Sequence, residues 1–294
     1  LCYEAAKSHR VFAFVRPGAD TSHLPKDIII KAADLDQLDY AKVFRKYDWI
    51  IDAAAPYPTR LDTPASELNI AFNRYRHIAQ AALDSDTKFS HIGSFITLPR
   101  KTTVSDRLFR KGLQRTHPYY VLKFGVEKIL LRARARGASI GIYCPSIIIG
   151  PWNRKPDSQN TLKRIARGDF PVVLDHVVNV VDVRDAAKSI LQYTSGDRAL
   201  PSTGAAPIFG YSIPIRKLVK EMSGQSPLVA PSRTAGFVKS SSIIFEFAIG
   251  TSFGGLSSSL PALGVLLATE SYNLKIPTSN SYQTSIYRSL SDSV

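Results

Sequence analysis

Runs of nearly continuous apolar residues punctuate the first half of the chain: "RVFAFVR" (10–16), "DIII" (27–30), "DWIIDAAA" (48–55), "KFSHIGS" (88–94) and "SIGIYCPSIIIG" (139–150). They are rich in Val and Ile and show little alternation, which suits strands covered on both faces, as in a parallel sheet flanked by helices. Between them, "DYAKVFRKY" (39–47), "ELNIAFNRYRHIAQAALDS" (67–85) and "YYVLKFGVEKILLRARARG" (119–137) space their apolar residues three and four apart, as amphipathic helices do. The alternation predicts an α/β fold, a doubly wound, Rossmann-like parallel sheet.

The texture changes after Gly150. "GPWNRKPDSQN" reads as a loop, "TLKRIARGDF" as a short basic helix, and "VVNVVDVRDAAKSIL" as a strand and helix returning to the main sheet. Beyond residue 200, Ser, Pro and Gly rise and periodicity weakens, with a last amphipathic helix in "SYQTSIYRSLSD". The predicted division is a main α/β unit over 1–200, with 151–175 contributing to a smaller C-terminal lobe formed by 201–294.

A chain of 294 residues and 44% hydrophobic content has ample material for a packed core. The net charge of +14 is scattered; its densest groups, 107–115 and 130–137, read as solvated helix faces rather than a nucleic-acid stripe, and the surplus also suits a phosphorylated ligand. Cys2 and Cys144 are the only cysteines, too few for a disulfide framework, so a reducing compartment, the cytoplasm, is expected. The opening residues mix Glu, Lys and Arg into apolar positions, unlike a signal peptide. The uncharged stretch 247–268 is broken by Gly, Ser and Pro261, which fits helices closing a pocket better than a membrane span. The six histidines lack metal-ligand pairing, and "HIGSFI" is not a GxSxG nucleophile elbow. Asp182 and Asp185 read as a helix cap, with Arg184 as a salt-bridge partner.

Tyr119 and Lys123 are four apart and share one helix face. An ammonium beside a phenol favours the phenolate, so such a tyrosine can exchange protons with a carbonyl or alcohol near neutral pH. Tyr120 competes, three from Lys123 and four from Phe124, at a spacing that serves packing equally well. "KFSHIGS" would deliver Ser94 to the C-terminal end of a strand, where doubly wound folds place ligands.

A Ser after a strand, Pro-Tyr-x-x-x-Lys opening a helix and a strand ending in "PSIIIGP" together resemble the extended short-chain dehydrogenase/reductases. The likeness is to the branch of dihydroflavonol-4-reductase-like and hopanoid-associated sugar epimerase-like proteins. Further segments are similar in the same order, over most of residues 1 to 200. The resemblance implies that Tyr119 is the general acid/base, that Lys123 lowers its pKa and binds the nicotinamide ribose, and that Ser94 orients the substrate oxygen. It also places Arg16 in "VRPGADTSHL" on the 2'-phosphate of NADP, Asp34 and Leu35 beside the adenine, Ala54 and Ala55 along the cofactor, and Pro145 and Ser146 beside the nicotinamide. The implied cofactor is NADP, with NAD as the other option.

The sequence departs from that pattern at its front. No glycine precedes Gly18, so the glycine-rich turn that should cradle the pyrophosphate is missing. Either the chain is a fragment or the cradle is lost, and the surviving cofactor-facing pattern favours a fragment. Leu122 stands before the lysine where many relatives carry Ser, and "HIGS" replaces a commoner Thr-Ser-Ser. The expected function is NADP(H)-dependent reduction of a carbonyl, or oxidation of a secondary alcohol, on a small molecule. The alternatives are a nucleotide-sugar epimerase or dehydratase and a non-catalytic binding or assembly module. No nucleic-acid partner is expected, and the family's habit of pairing through helices leaves room for a homodimer.

Overall fold

The structure, a computed structural model, describes residues 1–230 apart from 57, 59–62, 99–110, 113, 116, 152–161, 165, 166, 168, 170, 171, 175 and 176. The expected C-terminal helix, the 247–268 stretch and most of the proposed 201–294 lobe lie outside the described residues.

A parallel sheet organises the fold. Its strands are β3 (Trp49–Asp52), β4 (Lys88–Ile92), β5 (Ile140–Pro145) and β9 (Ala205–Ile208), in the order β3-β4-β5-β9. The pair β1 (Phe12–Val15) and β2 (Ile29–Ala32) is also parallel and is assigned as a separate two-stranded sheet. The second predicted strand is therefore offset by two residues from "DIII". Helix α1 (Cys2–Ala5) precedes β1, and α2 (Tyr40–Phe44) begins at Asp39, whose carboxylate accepts from the Lys42 N–H as an N-cap.

Side chains alternate across the main sheet and build a core on each face. On one face Phe89, Ile140, Ile142 and Cys144 meet α3 (Ala65–Leu83) and α4 (Pro118–Ala135). Helix α3 offers Ala71, Tyr75, Ile78 and Ala82, a stripe at helical spacing; α4 offers Leu122, Val126, Leu130 and Ala133. Pro118 starts α4, where its missing N–H costs nothing, and Gly137 follows the helix at φ +108°. On the other face Tyr143, Ala206 and Ile208 pack with Val181 and with α5 (Val183–Ser195), through Ala186, Ile190 and Tyr193. Helices on both faces make the sheet doubly wound, as its apolar runs predict.

Two expectations are corrected. The run 139–150 is not one strand: β5 ends at Pro145, and β6 (Ile147–Ile149) turns away to pair with β8 (Val177–Asp182). Proline has no N–H to extend a ladder, which makes it a natural point of departure. Nor does "VVNVVD" return to the main sheet: β8 is the centre of a mixed three-stranded sheet, between β6 and the antiparallel β10 (Tyr211–Pro214). The strand that does return is β9, which extends the main sheet beyond residue 200. A further parallel pair joins β7 (Val172–Leu174) to β11 (Leu228–Ala230), and α6 (Ile215–Ser223) follows β10. The cap read at the β8–α5 junction is observed, with Asp182 Oδ1 accepting from the Arg184 N–H at 2.7 Å and its carboxylate paired with the Arg184 guanidinium at 2.8–2.9 Å.

Gly210 lets the β9–β10 connection lie directly on β8. A Cβ there would meet Val180 O at 2.8 Å and Val181 Cα at 3.0 Å, and both are backbone atoms that cannot rotate away. Gly210→Ala is therefore expected to cost about 1–3 kcal/mol of stability, read as a lowered urea midpoint and Tm. An unchanged midpoint would show that this approach is looser than the structure places it.

Candidate active site

Parallel strands β3, β4 and β5 all end at one edge of the sheet, and the candidate residues gather there. Strand β4 leads through Gly93 to Ser94, which caps a single 3-10 turn (Phe95–Thr97) by accepting from the Ile96 N–H. Gly93 keeps the strand's exit in register, its N–H donating to Tyr143 O at 2.7 Å.

The first turn of α4 faces this exit. The Tyr119 hydroxyl donates to Ser94 Oγ at 3.2 Å, and both residues are buried. Ser94 Oγ is thus an acceptor twice over, which leaves its own hydrogen available for a substrate oxygen. The Lys123 ammonium lies 5.9 Å from the centre of the Tyr119 ring. The structure therefore brings Ser94, Tyr119 and Lys123 into one group. Tyr120, the competing tyrosine, points into the core, edge-on to His117 at 5.5 Å and to Tyr119 at 6.1 Å.

Burial pushes Lys123 below its ordinary pKa, and the charge that most opposes this is the Asp52 carboxylate, followed by Cys144 and Glu127. Cys144 itself is pushed up to about 12 by burial, so its thiol stays neutral. Thr97 Oγ1 sits 3.7 Å from its sulfur.

Asp52 and His91 were not singled out from the sequence as site residues. They are cross-strand partners in the β3–β4 register, so their side chains leave the same face of the sheet. Asp52 Oδ2 lies 2.8 Å from His91 Nδ1 and accepts from the Tyr75 hydroxyl at 2.6 Å, while Oδ1 accepts from the Ala54 N–H at 3.0 Å. Burial opposes the Asp52 charge, but these donors outweigh it and hold the carboxyl at about 2. Burial lowers His91 despite its acidic partner, so the imidazole is neutral and its Nδ1–H donates to the carboxylate. The available signal was an ionisable residue near the C-terminal end of each of two adjacent strands.

The residues matched to the cofactor are spread along the strand ends. Pro145 and Ser146 close β5, both buried, and Ser146 Oγ has no hydrogen-bond partner among the described residues. Ala54 is exposed and Ala55 half-buried just beyond β3. Arg16 is exposed at the end of β1, its carbonyl accepting from the Ala19 N–H in a turn that contains Gly18 at φ +75°. Asp34 is exposed and caps its own loop by accepting from the Asp36 N–H, with Leu35 half-buried beside it and its carbonyl bonded to the Tyr40 hydroxyl. Arg74 on α3 fastens the same loop through Asp36 at 2.6 Å. The described residues also form a surface cavity of about 380 Å³ between α1 and the 22–27 loop, lined by none of the candidate site residues.

Among the described residues no cluster of His, Cys, Asp or Glu is placed to hold a metal, and no helix is long and apolar enough to cross a membrane.

No family model matches the chain. A provisionally named dihydroflavonol 4-reductase of Synechocystis sp. is 33% identical over 119 residues, 40% of this chain and 34% of that protein. The matched segment thus spans about a third of the curated relative's length. A nucleoside-diphosphate-sugar epimerase from Pseudomonas aeruginosa superimposes with a TM-score of 0.61 over 88% of this chain and 89% of its own, at 16% identity. The UDP-glucuronic acid 4-epimerase from Bacillus cereus, solved with NAD, gives a TM-score of 0.56 over 78% of this chain and 82% of its own, at 14% identity. The resemblance to the extended short-chain dehydrogenase/reductases and epimerases is carried by that segment in sequence and by the Rossmann-like fold in structure.

The buried Asp52–His91 pair generates a prediction about acid stability. Asp52 is held below the ordinary carboxylate value, so its contribution, ~2 kcal/mol, is fully present above about pH 4 and lost as pH falls through about 2. His91 is also depressed, and as a base it costs stability as pH falls below the unfolded value near 6.5. Urea unfolding across this range is expected to show both losses. His91→Gln should flatten the upper limb and Asp52→Asn the lower; identical profiles in all three proteins would rule the assignment out.

Proposed function

We propose that the protein is a nicotinamide-dependent oxidoreductase that reduces a carbonyl, or oxidises a secondary alcohol, of a small molecule, with NADP(H) as the hydride carrier. The observation that carries this reading is the Tyr119 hydroxyl resting 3.2 Å from Ser94 Oγ at the C-terminal end of β4, with Lys123 one helical turn behind. A phenol and a serine hydroxyl converging on one point suit a single substrate oxygen. In the reductive direction Tyr119 gives up its proton as the oxygen gains charge, while Ser94 donates its own hydrogen bond to the same atom. The Lys123 ammonium stabilises the phenolate that remains.

The residues present fit a nicotinamide dinucleotide. Ser146 Oγ, buried without a partner at the end of β5, is the kind of group that a ligand would satisfy. On this reading Arg16 holds the 2'-phosphate through its fork of donors, Asp34 and Leu35 flank the adenine, and Ala54 and Ala55 leave room along the cofactor. Lys123 binds the nicotinamide ribose, and Pro145 and Ser146 lie beside the ring. When bound, the cofactor supplies or accepts the hydride. A reducing compartment, the cytoplasm, suits the two free thiols of Cys2 and Cys144.

The second reading is a nucleotide-sugar epimerase or dehydratase. It is favoured by the fold shared with the two epimerase structures, one of them solved with NAD. A Tyr/Lys/Ser group serves both chemistries, and the exposed Arg16 leans toward NADP and reduction.

The full-length protein is to be tested with NADPH and dihydroquercetin as a dihydroflavonol probe, and with NAD and UDP-glucose as the sugar probe. Tyr119→Phe is expected to lower kcat/KM by ~10²-fold or more, and Tyr120→Phe to leave it unchanged. Undiminished turnover in Tyr119→Phe would end the catalytic reading.

A further inference from the structure

We infer that helix α3 sets cofactor affinity through two consecutive positioning residues, Arg74 and Tyr75. They hold the two segments that the proposed reading lays along the dinucleotide, Arg74 through Asp36 after β2 and Tyr75 through Asp52 at the end of β3. The inference rests on that reading and deepens it.

Both segments follow the C-terminal end of a parallel strand, where doubly wound folds place ligands. A loop that a ligand has to order weakens binding by the entropy it loses, so ties that order it beforehand strengthen binding. The 34–36 loop carries two local ties: Asp34 Oδ1 accepts from the Asp36 N–H at 3.0 Å, and the Tyr40 hydroxyl donates to Leu35 O at 2.7 Å. Arg74 adds the tie to α3. Its Nε and Nη2 both donate to Asp36 Oδ1, at 2.7 and 2.6 Å, and its side chain is only 11% exposed. A charged fork largely covered by protein holds its partner more firmly than an exposed ion pair does.

Tyr75 serves the turn after β3 in the same way. Its side chain is fully buried, and its hydroxyl donates to Asp52 Oδ2 at 2.6 Å, the oxygen that also lies 2.8 Å from His91 Nδ1. With Oδ2 held from two elements, Oδ1 accepts from the Ala54 N–H at 3.0 Å and sets the backbone of the turn. Successive residues of an α-helix point about 100° apart, so one turn of α3 serves both the interior and the rim. Tyr75 lies in the buried stripe with Ala71, Ile78 and Ala82, while Arg74 beside it reaches the loop after β2. A shift of α3 would move both segments together. Arg76, two residues on, differs: its guanidinium bonds Asn73 on its own helix.

The test is the affinity of the full-length protein for NADPH and for NADH by calorimetry without substrate, with amide hydrogen exchange of the unliganded protein as a second readout. For the dinucleotide that the wild type binds, Arg74→Met and Asp36→Ala are each expected to raise Kd ~5-fold. The double variant should lose no more than either single one, and Arg76→Met should change nothing. The first two substitutions alter the charge in opposite directions, so simple attraction of an anionic cofactor would weaken binding in one and tighten it in the other. Tighter binding in Asp36→Ala, or additive losses in the double variant, would overturn the inference. Tyr75→Phe is expected to raise Kd ~5-fold as well, and to speed exchange of the Ala54 amide ~3-fold or more while the amides of β4 keep their rates. An unchanged Ala54 rate, or an acceleration shared by β4, would show a merely structural side chain and overturn the inference too. If Arg74→Met does not fold, Arg74→Lys, which keeps the charge and loses the fork, carries the same expectation. A wild type that binds neither dinucleotide would sink the functional reading and this inference with it, whereas wild-type binding that no variant weakens would sink this inference alone.

Discussion

Asp52 must remain ionised in an interface that admits almost no water, and the elements around the candidate site are arranged to meet that demand. The β3–β4 register sets His91 directly beside it, and α3 lies close enough for the Tyr75 hydroxyl to reach the same oxygen at 2.6 Å. A one-residue slip in that register would send His91 to the opposite face and leave the carboxylate without one of its donors. The alignment that secures Asp52 also sets where β4 ends, and Ser94 lies three residues past His91. The position of the serine is thus tied to the satisfaction of a charge that lies on a neighbouring strand.

The second constraint is the closeness of α3 and α4. Helix α3 packs directly on α4, and Gly125 on α4 has no side chain at the point where the Phe72 ring arrives. A Cβ on Gly125 would lie 2.4 Å from Phe72 Cε1. A glycine inside a helix costs about 1 kcal/mol relative to alanine, and here it permits an approach that alanine would obstruct. Four residues earlier in α4 is Val121, and the turn that contains it also carries Tyr119 and Lys123. Moving the helix outward by the width of a methyl group would draw the phenol from Ser94, so the hydroxyl contact depends on this packing.

What the sequence made legible follows from how local each feature is. Helix α4 could be read because its buried residues repeat at three and four, and because Pro118 and Gly137 mark its ends. Ser94 could be placed because an apolar run delivers it, and Tyr119 and Lys123 because four residues is one helical turn. The Asp52–His91 pair joins positions 39 residues apart, and nothing within either strand announces the partner. The same holds for the run 139–150: composition shows that it is extended and buried, whereas its division between two sheets depends on β8 and β9, which come later in the chain. The return of β9 rather than β8 to the main sheet was hidden for the same reason. Both are short apolar strands, and only the pairing partners, Pro145 with Ile208 and Ile149 with Asp182, separate them.

The two faces of the main sheet treat their polar groups differently. On the α5 face Trp49 Nε1 donates to Ser90 Oγ at 3.2 Å, Ser90 shares a hydrogen bond with Thr194 Oγ1, and Thr194 bonds the Tyr143 hydroxyl at 3.1 Å. That chain runs across four residues and fastens α5 to the sheet. At the C-terminal edge the polar groups keep capacity in reserve. Ser94 accepts twice and retains a hydrogen to give, and Ser146 Oγ is buried with no partner among the described residues. Burying such groups costs free energy that the fold does not recover by itself. The hydrogen bonds on the α5 face read as architecture, whereas the reserve at the ends of the parallel strands suits the ligand proposed to bind there.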